Sequence, residues 1–170
     1  RSSSDLIYTG KTIQLRVDTV EVPNKGYQKR EIIEHKGAVA IVAITDDNKV
    51  VLVKQYRKAV EKELYELPAG KIEIGESPLD CAIRELKEET GYSVDSLKLI
   101  HKYYTTPGFS NQLVFIYLAK NLTPGESHLE EDEFLEVCEI DKEEAYNMVL
   151  NNEICDSKTV IGLLLTKELI

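Results

Sequence analysis

The chain has 170 residues, of which 42% are hydrophobic and 30% charged, and its formal net charge is −9. This length suits one domain with a buried core plus an additional arm, and no run approaches the roughly 18 apolar residues of a membrane-spanning helix. The acidity argues against an exposed basic stripe for nucleic acid. It also means that a phosphate-bearing substrate would need a divalent cation between the two anions.

Arg1-Ser2-Ser3-Ser4 lacks the apolar stretch of a signal peptide and is left out of the predicted fold. Cys81, Cys138 and Cys155 are odd in number and form no C-x-x-C, so they are expected to be reduced packing residues of a cytoplasmic protein. His35, His101 and His128 are scattered and offer no zinc set.

The first third of the chain reads as β. Thr12 to Val22 alternates loosely, Pro23-Asn24-Lys25-Gly26 is a turn signal, and Tyr27 to Glu34 returns as a hairpin. Gly37 to Thr45 is nearly all apolar, as in a strand covered on both faces. After the turn Asp46-Asp47-Asn48, Lys49 to Tyr56 is expected to be its hairpin partner.

Ser77-Pro78-Leu79-Asp80 opens a helix over 78–90: Ser caps, Pro suits the first helical position, and Asp follows three residues after Ser. Leu79, Ala82, Ile83 and Leu86 form its apolar stripe, and Gly91 ends it. Strands follow near Leu97–Thr105 and Leu113–Ala119, then an acidic loop from Asn121 to Asp132 and a strand from Phe134 to Ile140. Asp141 caps a helix from Lys142 to about Leu150, and Ser157 another running to about Leu169. The order predicts an α+β fold, a mixed sheet with helices packed on its faces as an α/β/α sandwich, preceded by an N-terminal β arm over 1–35, with the main domain over 36–170.

Three acids on the first helix carry the chemistry. Glu85, Glu88 and Glu89 stand at i, i+3 and i+4, so they share one helix face at repelling spacing. They also lie near the C-terminus, where the macrodipole is already negative. Clustered hard oxygens of this kind suit Mg²⁺ or Mn²⁺, although a plain solvated helix face is the competing reading. The preceding Leu67-Pro68-Ala69-Gly70 is a tight segment able to present a carbonyl to the acids.

Gly70, five residues, Glu76, seven residues, then Arg84-Glu85-Leu86-Lys87-Glu88-Glu89-Thr90-Gly91-Tyr92 resembles the Nudix box, G-x5-E-x7-R-E-U-x-E-E-x-G-U, with Tyr92 in place of the final aliphatic residue. The chain is thus similar to the Nudix hydrolase superfamily and its fold. The resemblance implies a homodimeric hydrolase in which Glu85, Glu88, Glu89 and the Ala69 carbonyl hold divalent metal, while Arg84 and Glu76 pair to fix the loop. Gln55-Tyr56-Arg57 with Glu66-Leu67-Pro68-Ala69-Gly70, and Thr106-Pro107-Gly108-Phe109 with Pro107 fifteen residues past Tyr92, resemble the ADP-ribose pyrophosphatase branch.

That branch implies cleavage of ADP-ribose to AMP and ribose 5-phosphate. The neighbouring readings are another nucleoside diphosphate sugar, NADH, a nucleoside triphosphate, or a non-catalytic ADP-ribose-binding module. It further implies that Arg57 contacts substrate phosphates, against the plainer reading of an ion pair with Glu61 or Glu63. Pro107 and Gly108 would lie beside the substrate. The arm would exchange in the dimer and line the adenine pocket, with Tyr27, Lys29 and Glu34 as candidates; Tyr27 either stacks on the base or is an ordinary strand aromatic. Within Glu130-Glu131-Asp132-Glu133, Glu131 first and Glu133 second would act as general base, against the reading of a solvated charge run.

Overall fold

A computed structural model describes residues 3–130 and 134–170. The chain forms two compact units: one runs through Gly37 and includes Tyr103–Val114, and the other comprises Ala38–Lys102 and Phe115–Ile170. Tyr103–Val114 therefore groups with the arm rather than with its chain neighbours.

In the first unit, β1 (Ser3–Thr9), β2 (Gln14–Val22) and β3 (Gly26–Glu34) form an antiparallel sheet in that order. The hairpin turns through Asn24 and Gly26, both in the left-handed region at φ 65° and 75°. β1 was not expected. Its Leu6-Ile7-Tyr8 run does not alternate, all of β1 is exposed, and the pairing with β2 is interrupted by a register shift between Leu6 and Tyr8. Buried Asp18 ties the strands together, accepting from Ser4 Oγ at 2.7 Å and Arg16 Nε at 3.1 Å. The Ile33 amide donates to the Phe109 carbonyl at 2.7 Å, which joins residues 106–111 to the end of β3.

The second unit corrects one pairing. β4 (Ala38–Ala43) and β5 (Lys49–Arg57) are not hairpin partners beyond the bridge Ile44–Val50. β4 lies inside a sheet ordered β7 (Ala69–Lys71), β4, β9 (Leu113–Ala119), β8 (Lys98–Tyr104). β5 lies inside a second sheet between β10 (Leu135–Asp141) and β6 (Lys62–Glu66). Both strands are apolar throughout their centres because each is covered on both faces, and each already has two neighbours.

Three helices complete this unit: α1 (Pro78–Thr90), α2 (Lys142–Leu150) and α3 (Ser157–Thr166), the last followed by a 3₁₀ turn at Lys167–Leu169. Val39, Ile41 and Ala43 of β4 pack with Cys81, Ala82 and Leu86 of α1. Gly162 of α3 lies against Val42 and Ile116. Alternate residues of one strand thus face α1 and α3, which makes the α+β unit an α/β/α sandwich.

Ser77 caps α1, accepting from the Asp80 amide at 3.1 Å, and Asp141 caps α2 through the Glu143 and Glu144 amides. The α3 cap position belongs to Asp156 rather than Ser157, and its carboxylate binds Lys158 and Thr159 side chains instead of an amide. On α1, Leu79 is exposed, and the core-facing row is Ala82, Leu86 and Glu89 together with Cys81. Seven residues bring Glu89 almost back over Ala82. Cys81 is a packing residue as expected, but Cys155 is exposed.

Gly91 closes α1 in the left-handed conformation, φ 82°, with its N–H donating to the Lys87 carbonyl at 2.9 Å. A methyl group there would overlap the Gly125 carbonyl. Gly91→Ala is expected to cost more than about 1 kcal/mol of folding stability, read as a lower urea midpoint at unchanged slope. Among the described residues no helix is long and apolar enough to cross a membrane.

Candidate active site

The last two turns of α1 face the short strand β7. Arg84 organises them. Its Nε and Nη2 grip Glu76 at 2.7 and 2.9 Å, while Nη1 donates to Glu85 at 2.8 Å and Glu88 at 3.1 Å. The guanidinium holds the Glu76 carboxyl down at about 2, and the surrounding carboxylates push the arginine's own pKa up. Glu76 also accepts from the Glu73 amide, closing the 73–76 turn. The expected Arg84–Glu76 clamp is therefore in place.

Glu85 packs directly on Gly70, so closely that any Cβ at residue 70 would overlap its carboxylate. Glu89 is buried, 4% exposed, and accepts from the Ala69 amide at 2.9 Å. Two acids thus meet two consecutive residues of β7, and Glu88 joins them through the shared Nη1 of Arg84. Among the described residues no three acidic, histidine or cysteine side chains stand in ligating geometry. The donor set is nonetheless one a hard divalent cation takes: glutamate oxygens beside a backbone segment kept free of side chain at Gly70.

Arg57 departs from the plainer of its two sequence readings, the ion pair with Glu61 or Glu63. Its fork lies on Glu66, Nε and Nη2 each at 2.7 Å, rather than on Glu61 or Glu63. Glu66 is 1% exposed and also receives Lys158 Nζ at 2.7 Å. Burial would raise the Glu66 pKa, but the hydrogen bonds from Arg57 and the charge of Lys158 outweigh it and hold it below the ordinary carboxylate range. Those same bonds raise the Arg57 pKa. Glu66 was visible in the sequence only as the residue before Leu67-Pro68; nothing marked Lys158 as its partner.

The arm candidates sit in the first unit and do not form one cluster. Exposed Tyr27 pairs across to Glu21, and Lys29 to Thr19. Glu34, at the other end of β3, is ion-paired with Arg16. With a rise of about 3.3 Å per residue, Tyr27 and Glu34 are roughly 23 Å apart along the strand. Pro107 and Gly108 lie in the turn closed by the Phe109 and Ser110 amides on the Thr106 carbonyl, joined to the Glu34 end of β3 by Ile33. Glu131 and Glu133 fall outside the described residues. The chain leading to them is fastened to α1, with the His128 amide on the Glu88 carbonyl at 2.8 Å.

Comparison with known proteins bears on the family and the fold. The chain is 45% identical over 162 residues to the methanol dehydrogenase activator of Bacillus methanolicus, which covers 94% of this chain and 88% of that one. It is 45% identical over 163 residues to the ADP-ribose pyrophosphatase of Bacillus subtilis (strain 168), covering 95% and 88%. The crystal structure of an ADP compounds hydrolase has the same fold, with a TM-score of 0.85 at 23% identity over 98% of this chain and 91% of that one. The NUDIX domain family matches residues 34–160, a span that takes in the Arg84 clamp, all three helix acids and β7, and the chain belongs to that family.

Proposed function

We propose that this chain hydrolyses the pyrophosphate of ADP-ribose to AMP and ribose 5-phosphate with Mg²⁺, for which Mn²⁺ can substitute. The observation that carries the reading is the complete acid set of α1 against Ala69–Gly70, with its arginine clamp. The 45% identity to an ADP-ribose pyrophosphatase supports the choice of substrate.

Glu85, Glu88, Glu89 and the Ala69 carbonyl would hold the cation. Bound there, it supplies positive charge to the phosphate oxygens and makes an attacking water more acidic. The water oxygen bonds to one phosphorus, the bridging P–O bond breaks, and the departing phosphate keeps the electron pair. Glu131, or failing it Glu133, takes the water's proton. Arg84 keeps the Glu85 and Glu88 carboxylates oriented. With Nε and Nη2 of Arg57 committed to Glu66, its contact to a substrate phosphate falls to Nη1.

The arm is proposed to exchange between the subunits of a homodimer and to line the adenine pocket, the Tyr27–Lys29 end of β3 coming from one subunit and the Glu34 end from the other, with Pro107 and Gly108 beside the substrate. The proposed setting is the cytoplasm, whose reducing conditions suit three free thiols.

Incubation with ADP-ribose and Mg²⁺ should release AMP, with ADP-ribose preferred over other sugar nucleotides and NADH. AMP no higher than from a Glu89→Gln control rejects the reading, and saturable binding without AMP marks a binding module instead. Gly70→Ala is expected to displace Glu85 while leaving the fold intact, since the overlapping group is the end of a flexible side chain. The expected result is about a hundredfold loss of kcat with little change in denaturation midpoint.

A further inference from the structure

We infer that Thr159, at the start of α3, is a positioning residue for the cation-holding segment Ala69–Gly70; this rests on the metal-dependent reading above. Four consecutive residues leading into that segment are each held in place. Glu66 is gripped by Arg57 and Lys158. The Leu67 amide donates to Thr159 Oγ1 at 2.9 Å. The Pro68 carbonyl accepts from the Ile41 amide at 3.0 Å, and the Ala69 amide donates to Glu89 at 2.9 Å. Two of these five ties, those of Lys158 and Thr159, come from α3, about ninety positions away in the chain.

Thr159 is fully buried, and its hydroxyl works in both directions: it accepts from Leu67 and donates to Asp156 Oδ2 at 2.6 Å. Asp156 in turn holds Lys158 Nζ at 3.0 Å, so the hydroxyl, the carboxylate and the ammonium fix one another. Gly162, one turn along α3, lets the helix approach so closely that a methyl group there would stand 2.7 Å from Leu67 Cδ1. The packing of α3 therefore sets where residues 66–69 lie. Because Ala69 is the residue bound to Glu89, it also sets the distance between β7 and the acids of α1. An isosteric residue without the hydroxyl leaves the buried Leu67 N–H with no acceptor and the Asp156 carboxylate with one donor fewer.

The test compares Thr159→Val, Thr159→Ser and Thr166→Val with wild type. Thr166 is an equally buried threonine of α3 whose hydroxyl, among the described residues, bonds within the helix, to the Gly162 carbonyl at 2.7 Å, and so serves as the control for lost stability. Mn²⁺ affinity is measured directly by calorimetry without substrate, alongside kcat, KM and the urea midpoint. Thr159→Val is expected to weaken Mn²⁺ binding about tenfold and lower kcat by a similar factor, with KM within about twofold. Thr159→Ser should restore both, and Thr166→Val should lower the urea midpoint with unchanged Mn²⁺ affinity.

Wild-type Mn²⁺ affinity in Thr159→Val, or an equal loss in Thr166→Val, overturns the inference. Should Thr159→Val fail to fold, Asp156→Ala loosens the same hydroxyl and is expected to weaken Mn²⁺ at least about threefold; no change there is equally fatal. Absence of Mn²⁺ binding by the wild type overturns the metal-dependent reading itself, and the inference with it.

Discussion

Glu89→Gln is expected to lower kcat for AMP release by at least about a thousandfold while the protein stays folded. Glutamine matches glutamate in volume, and its side-chain oxygen can still accept the Ala69 N–H that Glu89 now takes at 2.9 Å. The buried site therefore keeps its packing and one hydrogen bond, and the folding cost should stay near 1 kcal/mol. What is lost is the negative charge, and an N–H donor replaces an oxygen where a cation must be held. Glu85→Gln acts by the same logic beside Gly70. Parallel measurement of kcat and the urea midpoint separates chemistry from folding. Losses below about tenfold in both variants would remove the basis for assigning these carboxylates to the cation.

The largest effect on stability is expected from Glu66→Gln. This carboxylate is fully buried and neutralises two cations, Arg57 and Lys158, each at 2.7 Å. Removing its charge takes the hydrogen-bonded carboxylate from both, leaving Arg57 the fields of Asp156 and Glu89 and Lys158 its contact with Asp156. Breaking a buried pair from one side costs about 3 kcal/mol, at the low end of the usual range because the Arg57 side chain is 44% exposed. For a chain of this length that is a fall in Tm of roughly 6–12 °C.

The pH dependence has a definite sign. The folded-state pKa of Glu66 is lowered, so its contribution is complete above the ordinary carboxylate pKa and disappears as pH falls through the folded value. The stability gap between wild type and Glu66→Gln should hold steady above about pH 5 and narrow below it. Glu76, held at about 2 by Arg84, titrates with the same sign, so the wild type should lose stability steadily across that acid window. A gap that widens on acidification would contradict the assignment of Glu66 as the charged partner.

How far the sequence could be read depended on the range of the interaction. The caps at Ser77 and Asp141, the terminator Gly91, and the buried strands β4 and β5 are local patterns, and each was legible within a few residues. The helix acids were legible from their spacing, and the Arg84–Glu76 clamp from the resemblance of residues 70–92 to the Nudix box. Strand partners were not: β4 and β5 look like a hairpin across Asp46-Asp47-Asn48, because apolar runs state that a strand is covered but not by what. The inward turn of Glu89 was hidden by treating the acids as one polar stripe, when the residue sits over Ala82. β1 was missed because its apolar residues are exposed and lack alternation. The Glu66 cluster was invisible, since its members lie on β5, β6 and α3 and no local rule relates residue 66 to residue 158.

The separation of β4 from β5 bears on how the polypeptide reaches its native form. β5 needs both β6, which follows it closely, and β10, which ends at Asp141, before both of its edges are paired. A nascent chain that has emerged only as far as α1 can pack Val51 against that helix but still leaves one edge of β5 unpaired. Closure of this sheet is a late, long-range event, and a chain halted before residue 135 should be aggregation-prone and dependent on chaperones.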